Sequence, residues 1–154
     1  MAARTVLTYG TFDLFHVGHL NLLRRLRALG DRLIVGVSTD EFNALKGKKT
    51  IIGFEDRIEI VRSLQCVDLA VPEENWAQKA DDIRRHGVQV FGMGSDWEGR
   101  FDELKAHCEV IYLPRTEGVS STQIKKTLQV LDRSHVQELK HALDLIASIV
   151  DRFE

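Results

Sequence analysis

Apolar and polar positions along the chain alternate between two rhythms. Residues 5–9 form a short, β-branched apolar run closed by Gly10, which predicts a strand. Apolar residues at 20, 22, 23, 26 and 29 then follow a helical rhythm over 19–29 that Gly30 stops. The alternation continues with a strand at 32–37, a helix at 56–64, a strand at 67–71 ahead of Pro72, and a polar, exposed helix at 78–85 ended by His86-Gly87. A strand at 88–93, a helix at 98–107, a fifth strand at 109–113 and a helix at 122–131 complete the series. Continuous apolar strands alternating with helices predict an α/β fold, a doubly wound, parallel five-stranded sheet covered on both faces. Such sheets bind ligands outside the carboxyl ends of their strands.

The last stretch differs. Val136, Leu139, Leu143, Ile146, Val150 and Phe153 are spaced 3, 4, 3, 4, 3, a heptad-like stripe. It predicts a C-terminal helical extension over 132–154, not an independent domain, following a domain over 1–131. The extension is expected to dock on its own domain or on a partner subunit. A membrane-surface helix is disfavoured, because Asp132, Glu138, Asp144, Asp151 and Glu154 outnumber Arg133, Lys140 and Arg152 and would repel anionic lipid.

Composition narrows the function classes. With 154 residues the chain is expected to form one domain with a real core. Twenty-one Lys and Arg against 23 Asp and Glu give a net charge of −2, which argues against a general nucleic-acid binder. Cys66 and Cys108 make neither a disulfide framework nor a zinc motif, so a reducing, cytoplasmic setting is the expectation. No apolar run approaches the roughly 18 residues of a membrane span, and the first residues carry no secretory signal pattern.

Three segments after predicted strands carry candidate chemistry. In the first, residues 10–19 (GTFDLFHVGH), a strand–turn–helix junction offers unpaired N–H groups and partial positive charge to an anion. Gly10 and Gly18 lack a Cβ and admit close approach to the backbone. His16 and His19 are three apart and suit donation to phosphate oxygens, although two satisfied surface histidines or a metal pair fit the same spacing. The segment matches neither a P-loop nor a GxGxxG fingerprint. The second, Lys46-Gly47-Lys48-Lys49, is a solvated basic loop or, beside a phosphate site, a flap over a polyanion. In the third, residues 115–122 (RTEGVSST), Ser120 and Gln123 fit a capping box, while Arg115 and three hydroxyls fit a second phosphate cradle. In the loop after the fourth strand, Asp96 suits an exocyclic amine and Trp97 a flat base, with a plain turn and a core tryptophan as the alternative.

These blocks, together with STDEFN at 38–43, Arg57, PEENW at 72–76, Lys79, MGSDWEG at 93–99 and YLPRTEGVSST at 112–122, resemble the cytidylyltransferase branch of the HxGH nucleotidyltransferases over residues ~5–130. The resemblance implies a Rossmann-like fold, a homodimer and a transfer of CMP from CTP to a phosphorylated small alcohol. It implies that Gly10, Thr11, Phe12, His16, Gly18, His19, Lys48, Asp96, Arg115, Thr116, Glu117, Gly118, Val119, Ser120, Ser121 and Thr122 surround the nucleotide. His16, His19, Lys46, Lys48 and Arg115 would be catalytic. Lys46, Arg57 and Lys79 would bind the acceptor. Mg²⁺ is the implied cation, with no protein ligands assigned, and Asp13 would aid either the metal or the helix. Because lysines suit an uncharged polyol phosphate, glycerol 3-phosphate is the expected acceptor, and the family link is to teichoic-acid or capsule-type polymers. Phosphoethanolamine, another polyol phosphate, an adenylyl transfer, and a nucleotide sensor without turnover remain the alternatives.

Overall fold

The computed structural model describes residues 3–129 and 133–153. The chain divides into two compact units, Met1–Val119 and Ser120–Glu154. The domain boundary expected after residue 131 lies outside the described residues.

The first unit is built on five parallel strands, β1 (Thr5–Gly10), β2 (Arg32–Ser38), β3 (Leu69–Glu73), β4 (Val90–Gly94) and β5 (Glu109–Leu113), in the order β3-β2-β1-β4-β5. Helices α1 (Val17–Arg27), α2 (Asp40–Leu45), α3 (Phe54–Arg62) and α4 (Gln78–His86) connect them, with 3-10 turns at Ser95–Trp97 and Asp102–Ala106 between β4 and β5. Side chains alternate across a strand, so β1 divides its residues between two cores. Val6 joins Leu33, Val35, Val37 and Val90 under Leu23 and Leu26 of α1 and Ile58 and Val61 of α3. Leu7 and Tyr9 join Ile34, Phe91 and Met93 under Ile83 of α4 and Phe101 and Leu104. The sheet is therefore covered on both faces.

Three expectations are corrected. Residues 98–107 do not form an α-helix: Gly99 sits at φ 80°, a left-handed conformation that ends helical hydrogen bonding, and the segment folds into 3-10 turns instead. The third strand starts two residues late, because Asp68 is used to bind the Leu33 N–H through its carboxylate at 2.7 Å. It also runs through Pro72, tolerated because β3 is an edge strand. Helix α4 is not a freely exposed helix, since Lys79, Asp82 and Ile83 are buried.

The second unit holds α5 (Ser121–Gln129) and α6 (Arg133–Val150). Ser120 caps α5, its hydroxyl accepting from the Gln123 N–H at 3.0 Å. Among the described residues no helix is long and apolar enough to cross a membrane.

Candidate active site

The carboxyl ends of β1, β2, β3 and β4 share one rim of the first unit, and β1 sits where the strand order reverses. This is the position at which open α/β sheets bind ligands. After β1 the chain makes a tight, strained turn. Phe12 and Leu14 adopt φ of 56° and 49°, uncommon for residues with side chains. Between them lies Asp13, buried, whose two oxygens accept from the N–H groups of Ile51 at 2.8 Å and Ile52 at 3.0 Å. Asp13 thus fastens the turn to the segment before α3.

His16 is the N-cap of α1. Its Nδ1 accepts from the Gly18 N–H at 3.0 Å, and Nδ1 of His19 accepts from the His16 N–H at 3.2 Å. The two imidazoles form the reciprocal capping box that Ser and Glu usually make. Each Nδ1 is an acceptor, so each neutral ring carries its proton on Nε2. The rings stack with centroids 3.9 Å apart, and His19 packs its edge against Phe12 at 5.5 Å. Burial holds the His19 imidazole down at about 4, aided by His16 and opposed by Asp13. Burial, and then the Arg115 charge, also lower His16. The pair is therefore neutral near pH 7 and presents two N–H donors. The glycines also serve this arrangement. A Cβ on Gly18 would lie 2.8 Å from His16 Cε1, and one on Gly10 would lie 2.8 Å from the Phe12 ring, so both make room for the protein's own side chains.

Residues 114–119 run beside α1. Arg25 donates to the Pro114 carbonyl at 2.7 Å, and Asn21 to the Thr116 hydroxyl at 3.4 Å. Arg115, exposed, pairs with Asp96 at 3.1 Å, which joins two of the sequence-predicted nucleotide residues. Glu117 and Gly118 are exposed, with Gly118 at φ 81°, and the Val119 carbonyl faces Gly18. Thr11 donates to Asn43 Oδ1 at 3.3 Å, and the buried Asn43 Nδ2 has no protein partner. Ser120, Ser121 and Thr122 belong to the second unit, where they begin α5.

A second cluster forms at the ends of β2 and β3. Lys46 is the C-cap of α2 rather than a loop residue. Its Nζ donates to Ser38 Oγ at 3.1 Å and lies 3.7 Å from Glu73 Oε1, while Lys79 Nζ lies 2.7 Å from Glu73 Oε2. One buried carboxylate thus bridges two ammonium groups. Burial lowers Lys46, with Glu73 pulling it back up and Lys48 and Lys79 adding to the fall. Lys79 is enclosed by Tyr9, Trp76 and Phe101, 4.6 to 5.5 Å from the ring centres. The Tyr9 hydroxyl donates to Asp82 at 2.5 Å, and both burial and that carboxylate push it far up. A cavity of about 750 Å³, lined in part by Trp76, Lys79, Trp97, Arg100 and His107, opens beside the cluster. Lys48 lies 5.5 Å over Trp97.

Arg57 has a setting that the sequence did not foretell. It is fully buried, and it donates to the carbonyls of Ile52, Thr11 and Ser38 and to Asp40 at 2.7 to 2.9 Å. It braces the ends of β1 and β2 rather than facing solvent. Glu73, Ser38 and Asn43 escaped the sequence reading as individual site residues. The signal for Glu73 was its place at a strand end between two lysine-bearing segments. Among the described residues, no three His, Cys, Asp or Glu side chains gather to hold a metal.

An all-parallel sheet with a paired-imidazole helix cap and lysines around the same rim defines a nucleotidyltransferase-like α/β protein. The comparisons agree: the cytidylyltransferase-like family model matches residues 7–127, and the chain belongs to that family. It is 55% identical over 128 residues to a glycerol-3-phosphate cytidylyltransferase of Bacillus spizizenii, covering 83% of this chain and 99% of that protein. It is 31% identical over 137 residues to an ethanolamine-phosphate cytidylyltransferase of Dictyostelium discoideum, covering 84% of this chain and 38% of that protein. Among solved structures, a lipopolysaccharide core biosynthesis protein of Thermoplasma volcanium shares the fold, with a TM-score of 0.64 and 20% identity over 75% of this chain and all of that one.

Proposed function

We propose that this chain transfers CMP from CTP to sn-glycerol 3-phosphate, giving CDP-glycerol and pyrophosphate. An oxygen of the acceptor phosphate attacks the α-phosphorus. The bond from that phosphorus to the oxygen bridging to the β-phosphate breaks, and pyrophosphate leaves with the electron pair. The nucleophile is already an anion near neutral pH and needs no strong base. The barrier is repulsion between polyanions and charge growing on the leaving group, so positioned donors supply the catalysis.

His16 and His19 are assigned to the α-phosphoryl oxygens and the leaving group, each through Nε2–H. Their Nδ1 atoms are held by the first turn of α1. Lys48 and Arg115 add positive charge. Gly10, Thr11, Phe12, Gly18, Asp96, Thr116, Glu117, Gly118 and Val119 are assigned to the nucleotide. Ser120, Ser121 and Thr122 keep that assignment from the sequence block alone. Arg57 acts on the substrate through the strand ends that it braces. Among the described residues no three His, Cys, Asp or Glu side chains gather to form a resident Mg²⁺ site, and Asp13 is engaged by backbone N–H groups. A divalent ion would enter on the triphosphate as part of the substrate, and no step is assigned to it.

The observation that carries the choice of acceptor is the cluster around Glu73. Two lysines share one carboxylate, leaving a net positive charge for a phosphate. The aromatic faces that would receive a cationic head group are filled by the Lys79 ammonium. Phosphoethanolamine would bring a third ammonium against these two. A neutral polyol phosphate has no such conflict. We further propose a homodimer acting in the cytoplasm, the compartment of nucleoside triphosphates. Release of pyrophosphate from CTP across a panel of phosphorylated alcohols tests the reading. Turnover with glycerol 3-phosphate well above that with phosphoethanolamine is expected. A preference for phosphoethanolamine, or use of ATP with CTP ignored, would overturn it.

A further inference from the structure

We propose that the apolar face of α6 is a dimerisation seam that pairs antiparallel with α6 of a second copy of this chain. The face lies beyond residue 127, where the family match ends. Val136, Leu139, Leu143, Ile146, Val150 and Phe153 are all more than half exposed, Leu139 at 63% and Phe153 at 87%. Five of these large apolar side chains, Val136 to Val150, form one row on α6, with Phe153 in the turn that follows, and together they exceed the scattered surface leucines of an ordinary domain.

The spacing chooses the occupant. Setting Leu143 against Ile146 of the second copy brings Leu139 against Val150, and places Val136 beside the turn that carries Phe153. The two-fold repeats each pair, so Leu139, Leu143, Ile146 and Val150 close into four layers within the helix. The bulky Phe153 then lies beside the small Val136 at either end. A parallel pair instead sets Phe153 on Phe153 and Val136 on Val136, leaving one end wide and the other narrow, and aligns the two helix dipoles.

The flanks are complementary in charge and size. In the antiparallel register Lys140 faces Ala147 of the second copy. Along that copy's flank Ala147 stands between Asp144 and Asp151, three residues before it and four after. The small side chain leaves room for the lysine stem to reach either carboxylate. On the other flank Ala142 faces Ile149, with Leu145 beside it, and Glu138 lies near Arg152. A lipid surface lacks the acids' complement, and a seam that closes on itself in both spacing and charge needs no other protein.

Disulfide trapping in the full-length protein tests this, starting from a Cys66→Ser, Cys108→Ser background. Leu143→Cys and Ile146→Cys proteins, distinguished by a mass tag, are mixed, equilibrated and air-oxidised. The expected result is a cross-linked pair containing one chain of each. Phe153→Cys alone is expected to give none, because its two copies lie past opposite ends of the paired stretch Val136–Val150, which is about 21 Å long. Absence of the mixed disulfide overturns the proposal and assigns the stripe to its own chain, a lipid surface or another protein. Self-linking of Phe153→Cys overturns the antiparallel register. Every substituted site is solvent-facing or half-buried, and circular dichroism of each variant confirms that the helix is present. The readout is independent of catalysis, so a wrong acceptor assignment leaves it unchanged.

Discussion

Replacing His16 separates two tasks that the wild-type ring performs with two different nitrogens. Nδ1 caps α1 by accepting from Gly18 at 3.0 Å, and Nε2 is the proposed donor to the phosphoryl group. Asparagine at this position keeps the first task, since its side-chain oxygen occupies nearly the place of Nδ1 and asparagine is among the best N-caps. It has no atom at Nε2. Alanine loses both. The cap is worth about 1 kcal/mol. One preorganised donor to a developing anion is worth roughly 3–4 kcal/mol, or about 10²–10³ in rate. His16→Ala should therefore lose about 1 kcal/mol in urea denaturation and roughly 10²–10³-fold in kcat. His16→Asn should stay within about a few tenths of a kcal/mol of wild type, as other good caps do, while turning over as slowly as alanine. Continuous pyrophosphate release and equilibrium unfolding measure both quantities on the same samples. If His16→Asn retains wild-type kcat, the ring is only a cap and its catalytic assignment falls. If it unfolds as readily as His16→Ala, the capping argument falls instead.

Three other perturbations probe the same rim. The His19 imidazole sits at about 4 in the fold against 6.5 in the unfolded chain, so the unfolded state binds the extra proton. Stability is then complete above pH 6.5 and is lost as pH falls toward 4, by roughly 2 kcal/mol after allowance for partial exposure. Urea melts between about pH 7 and pH 4.5 should show that loss in wild type and not in His19→Asn. Glu73→Gln removes the carboxylate that raises Lys46 between two cations, so Lys46 should deprotonate at lower pH. The alkaline rise of KM for the acceptor should move down the pH scale, and an unmoved profile would remove Glu73 from the acceptor site. Arg57→Lys cannot reach the three carbonyls and Asp40 together, and should cost about 3–5 kcal/mol of stability. A normal melting temperature with impaired KM would instead make Arg57 a direct ligand.

The legible parts of this protein were those governed by local pattern. The central strands β2, β1 and β4, buried on both faces, showed as nearly continuous apolar runs, and their alternation with helices was enough to give the parallel sheet and its binding rim. Helix α2 went unread because six residues are too few for a 3.6-residue period to show, although Thr39 ahead of Asp40 and Glu41 is a start signal, and Thr39 does accept from the Phe42 N–H at 3.1 Å. Residues 98–107 have a helical composition, but Gly99 inside the segment takes a left-handed conformation that composition does not show. At the site, the histidines and lysines were legible by type and place. Their protonation and pairing were not, because these depend on tertiary neighbours. Glu73 closes β3 and Lys46 caps α2, with the whole of α3 between them in sequence. No local period relates the two, and only the pairing of β2 with β3 brings the carboxylate between Lys46 and Lys79.

The lysine-bearing segment also has a mechanical character. At one end Lys46 is fixed by its backbone to α2, and at the other Ile51 and Ile52 are clamped by Asp13. Only a short arc lies between these two posts, with Gly47 at φ 69° as its pivot. A span so short, held at both ends, has few conformations open to it. Ordering it therefore sacrifices little chain freedom, and the arc is tied to the same carboxylate that holds the turn leading into the histidines, so that turn and the lysine arc share one anchor.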